Sequence, residues 1–117
     1  MTPQSQPEFR LRSPEELRGV LDAYLNADES FKNHEGGWHY RGVVDTLRWA
    51  LGERPDAPVS ATVLGHPVGY WDASREHSYA ERAWRGEIKT GMRSAYLLGV
   101  EHTTCWLPEG GDGIGIP

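Results

Sequence analysis

Three stretches of this chain repeat apolar residues at helical spacing, and prolines or glycines stand in each gap between them. The first is "SPEELRGVLDAYL". Ser13 can cap it, Pro14 suits the first turn, and Glu16 completes a capping box with Ser13. Leu17, Val20, Leu21, Tyr24 and Leu25 then fall on one face, which predicts an amphipathic helix over about 14–26. The second, "WHYRGVVDTLRWAL", is stopped by Gly52 with Pro55 beyond it. The third runs from about Ala73 to Val100, with Gly86 and Gly91 inside it. Each glycine costs a helix about 1 kcal/mol relative to alanine, so Gly86 is where such a helix would break.

Between the second and third periods lie Pro55, Pro58, Gly65, Pro67 and Gly69. This segment reads as a Pro/Gly-rich crossover, an ordered loop or a small β-hairpin at 60–71. The expected fold is mainly α: a compact three-helix domain with a long C-terminal helix. At 117 residues the chain is one domain by length. Residues 1–12 read as a loose N-terminal arm and 107–117 as a Gly-rich tail, mobile unless the body or a partner holds it.

The content of 38% hydrophobic and 25% charged residues places the chain with globular proteins and far from disordered ones. Cys105 is the only cysteine, so no intrachain disulfide can form. The N-terminus has no basic and apolar regions of a secretory signal, and the longest apolar run, "AYLLGV", is far short of the ~20 residues of a membrane span. A soluble, cytoplasmic protein with no membrane partner is expected. Arginine far outnumbers lysine, a composition like that of small accessory proteins of high-GC bacteria and phages, and no motif points to a family.

The formal net charge is -5, yet Arg82, Arg85, Lys89 and Arg93 crowd into "RAWRGEIKTGMR". On a continuous helix, with about 100° between residues, these four fall on one side with Arg75, and Tyr96 lies alongside. His77, Ala80, Trp84, Ile88, Gly91, Ala95, Leu98 and His102 form the opposite, core-facing stripe. Gly91, Ala95 and Gly99 would let another helix approach closely. The basic row reads as a solvated face, as a partner for the acidic first helix (Glu15, Glu16, Asp22) of the same or a neighbouring subunit, or as a docking strip for nucleic acid, a phosphorylated ligand or an acidic protein. Glu76, Glu81, Glu87 and Glu101 fall on its flanks.

The second helix has apolar residues on two sides. Tyr40, Val43, Val44, Leu47, Ala50 and Leu51 form one face, while Trp38 and Trp49 lie on the other with Gly42 and Asp45 between them. Such a helix is central to its own core, or it carries an interface for a second copy or another protein, where Trp is a favoured anchor.

Motifs of chemistry are mostly missed. "HEGGWH" places His34 and His39 five apart, not the four a zinc-protease helix needs. A zinc site from His34, His39, His102 and Cys105 would rest on one cysteine and no second paired motif, so no metal and no cofactor are assigned. His77 and His102 read as core histidines and Cys105 as a buried structural thiol. "GGDGIG" lacks the helix that a dinucleotide fingerprint requires after it. No catalytic residue is nominated. The expected function is a non-enzymatic, self-associating interaction protein that binds another macromolecule. The alternatives are an anion or nucleic-acid binder acting through the basic row, and a metal-dependent enzyme.

Overall fold

The computed structural model of the chain describes residues 9–117. Most of the expected N-terminal arm, residues 1–8, lies outside the described residues. The protein is mainly helical, with α1 at Pro14–Leu25, α2 at Glu29–Lys32, α3 at Trp38–Ala50, α4 at Tyr70–Trp84 and α5 at Ser94–Trp106. None of these helices is long and apolar enough to cross a membrane.

α1 begins with half of the expected capping box, because the Glu16 carboxylate turns to Arg12 and not to the Ser13 N–H. The Ser13 hydroxyl accepts the Glu16 N–H at 3.2 Å, and Pro14 opens the first turn. Its apolar face, Leu17, Val20, Leu21 and Tyr24, packs on Val43, Val44 and Leu47 of α3, with Ala73, Trp106 and Leu107 closing the cluster. A second cluster joins Ala80 and Ala83 of α4 to Leu97 and Val100 of α5, with Val59 from the crossover. Burying a Leu or Val side chain contributes roughly 1.5–3 kcal/mol, so these two clusters hold the helices together.

The single long third helix is corrected to two. Gly86 has φ 82°, its N–H donates to Ala83 O at 3.0 Å, and the Glu87 N–H donates to Arg82 O at 2.9 Å. This is a Schellman termination, in which a left-handed glycine satisfies the last carbonyls of the helix. Gly86 therefore ends α4 rather than weakening a longer helix. Gly91 is also at positive φ, and a Cβ there would meet nothing within 4 Å, so it is not the site of a close helix approach. With the axis broken, the expected wheel fails beyond Trp84, which was expected inward and is 47% exposed.

The crossover forms no hairpin strand among the described residues; it shows only an isolated bridge between Asp56 and Val63. Its order comes from Glu76, which is buried on α4 and accepts the Val59 N–H at 2.7 Å, the Ser60 N–H at 2.9 Å and the Ser60 hydroxyl at 2.6 Å. A buried carboxylate must be satisfied in this way, and the loop supplies the donors.

The chain ends are held where they are described. Arg12 donates to Trp106 O and Gly111 O, both at 2.7 Å, and its guanidinium lies 4.3 Å from the Trp106 ring centroid. Leu107 is fully buried and Ile114 packs on the first cluster, so the body itself fixes much of the glycine-rich tail.

Candidate functional site

α3 and α5 run antiparallel: His39 meets His102, Gly42 meets Gly99, and Asp45 meets Tyr96. The approach is close because Gly42 and Gly99 carry no Cβ. The ideal Cβ of Gly42 would lie 3.0 Å from Gly99 Cα and would strike Tyr96 O. The buried Thr46 and Thr103 hydroxyls donate back to Gly42 O and Gly99 O, both at 2.7 Å, so the seam keeps no unsatisfied hydroxyl there.

At the start of α3, Trp38 carries two arginines. The Arg41 guanidinium lies 4.7 Å and that of Arg93 lies 5.3 Å from the Trp38 ring centroid. Arg41 comes from the next turn of α3, and Arg93 is the N-cap of α5, whose first turn takes no side-chain cap. Both arginines are exposed, and neither meets a carboxylate among the described residues. The indole fixes the two flexible side chains and leaves their charge unneutralised. The uncapped α5 N-terminus adds partial positive charge beside Arg93.

The rest of the expected basic row is dispersed. Arg82 pairs with Glu87 at 3.8 Å, and Arg85 with Glu81 at 3.3 Å and Glu87 at 3.8 Å. Lys89 is exposed in the connection between α4 and α5. Tyr96 faces inward: its hydroxyl donates to Asp45 Oδ2 at 2.8 Å, and burial followed by the Asp45 carboxylate pushes its pKa up. Asp45 Oδ2 also receives Arg54 Nη1 at 3.0 Å. Within one chain the acidic first helix does not meet the row among the described residues; its Glu16 pairs with Arg12 at 2.7 Å. Of the expected residues, Arg93 and Trp38 come together, and Arg41 joins them unforeseen.

Trp49 is not a surface anchor. It is 2% exposed, and its Nε1 is a buried donor with no acceptor among the described residues. It lines a cavity of about 610 Å³ with Leu17, Leu51, Leu64 and Val68.

His102, read as a core histidine, is half-buried and pairs with His39. His39 Nε2 and His102 Nδ1 are 3.0 Å apart, so one ring donates and the other accepts. Burial, then the neighbouring His102, pushes the His39 pKa down. His39 also lines a cavity of about 570 Å³ with Phe31, His34, Tyr40, Ala95 and Leu98. His34 and Cys105 do not join the pair in a metal-binding group, and Cys105 is exposed rather than buried. It lies between the buried Thr104 and Trp106, on the outer side of α5. Comparison of the chain with protein-family models, curated proteins and solved structures gives no match.

Proposed function

We propose that the chain is a non-enzymatic interaction protein that captures an anionic, phosphate-bearing partner at Trp38, Arg41 and Arg93. The observation that carries this reading is the pair of guanidiniums stacked on one indole with no carboxylate among the described residues to neutralise them. Arg12, Arg18, Arg54, Arg75, Arg82 and Arg85 each meet an acid. A guanidinium offers a planar fork of donors that suits phosphate oxygens, and stacking removes part of the entropy that a free arginine loses on binding. The overall charge of -5 disfavours indiscriminate binding to polyanions and leaves local recognition as the mode. Calorimetric titration with tripolyphosphate tests the reading. The wild-type chain should bind, and Arg41→Ala with Arg93→Ala should weaken binding by about tenfold or more.

A further inference from the structure

We infer that His77, Glu81 and Glu101 form a divalent transition-metal site that clamps α4 to α5. His77 and Glu81 are one turn apart on one face of α4, and Glu101 reaches them from α5. A ring nitrogen of His77 and one oxygen from each carboxylate lie within 4.8 Å of one another. An ion with bonds of about 2.0–2.2 Å holds its ligands within about 4 Å of each other, so rotation of the side chains closes the site.

The hydrogen bonds of His77 fix which nitrogen is available. Nδ1 lies 3.1 Å from both Glu101 O and Thr104 Oγ1. Glu101 O can only accept. The Thr104 hydroxyl lies 2.9 Å from Val100 O, so it spends its proton there and accepts from His77. Nδ1 therefore carries the proton of the neutral ring, which leaves Nε2 as the nitrogen able to ligate. A backbone carbonyl holding the other nitrogen is the usual support of a metal-ligating histidine.

The His77 ring and two carboxylates thus gather where, among the described residues, Arg85 offers a donor at 3.3 Å from Glu81 Oε1. Arg85 also has Glu87 at 3.8 Å, so Glu81 can be released to a metal without stranding the guanidinium. All three ligands are half-buried, which leaves a path for the ion. One nitrogen and two carboxylate oxygens suit zinc, with manganese as a weaker competitor and water completing the shell. The ion would join two helices whose chain connection, 85–93, contains two glycines at positive φ.

Zinc titration of the full chain by calorimetry, after chelator treatment, tests the site. One ion per chain is expected. The Glu81→Gln, Glu101→Gln double variant should bind at least tenfold more weakly, with an unchanged circular dichroism spectrum. Zinc should raise the thermal midpoint of the wild type and not that of the double variant. His39→Gln should still bind zinc as the wild type does. No zinc binding by the wild type, or full binding by the double variant with loss in His39→Gln, would overturn the proposal.

Discussion

Gly42 of α3 and Gly99 of α5 meet face to face where the two helices cross, and a Cβ on Gly99 would strike the His39 carbonyl oxygen. Nothing at that contact is a flexible side-chain tip that can swing aside; the obstructing atoms are backbone. Gly42→Ala and Gly99→Ala should therefore each destabilise the chain by about 1–3 kcal/mol, because a methyl forces the helices apart. Urea denaturation checks this, and Gly19→Ala, where a Cβ meets open space, is the control.

Glu76 holds the crossover. Glu76→Gln keeps the shape but places an amide against three donors, from Val59 N, Ser60 N and the Ser60 hydroxyl. Val59 N and Ser60 N share Oε2 while the Ser60 hydroxyl uses Oε1, so an amide that keeps the first two turns its NH2 toward the Ser60 hydroxyl and replaces charge-assisted bonds with weaker neutral ones. The expected loss is about 1–3 kcal/mol, with faster proteolysis in 55–62 than in the wild type. Stability equal to the wild type would show that the loop is held by other contacts.

The His39–His102 contact predicts a pH dependence. Burial and His102 lower the folded-state pKa of His39 below the unfolded value of about 6.5. The unfolded chain then binds the proton more readily than the folded one. The stability linked to neutral His39 is therefore complete above about pH 6.5 and is lost as pH falls through the lower folded value. Denaturation at pH 7.5 and pH 5.5 should show the loss, and His39→Gln should reduce it. An unchanged profile in that variant would assign the dependence to another group.

The helical class, the α1 cap and the two-sided character of α3 were legible in the sequence because each is a local pattern. Ser13 and Pro14 act within one turn, and the apolar repeat of α1 is unbroken. The length of the third helix was not legible. Gly86 in mid-helix and Gly86 at a Schellman end look alike in sequence, and the difference lies in φ and in the carbonyls of Arg82 and Ala83. The basic row rested on that length and dispersed with it. Trp49 stood open between core and interface for a related reason: a helix covered on both sides shows the same residues as one that offers a face to a partner, and its burial agrees with the core reading. Arg41 was missed because its part depends on Arg93, more than fifty positions away, reaching the same ring.

The most direct measurement is tripolyphosphate binding by calorimetry at low and at raised salt, in the wild type, in Arg41→Ala with Arg93→Ala, and in Arg82→Ala with Arg85→Ala. Arg82 and Arg85 already meet Glu81 and Glu87, so their loss should change affinity little. The wild type should bind, more weakly as salt rises, and the Arg41, Arg93 variant should lose about tenfold or more in affinity. Equal binding by the Arg41, Arg93 variant and the wild type, or loss only when Arg82 and Arg85 are removed, would contradict the account.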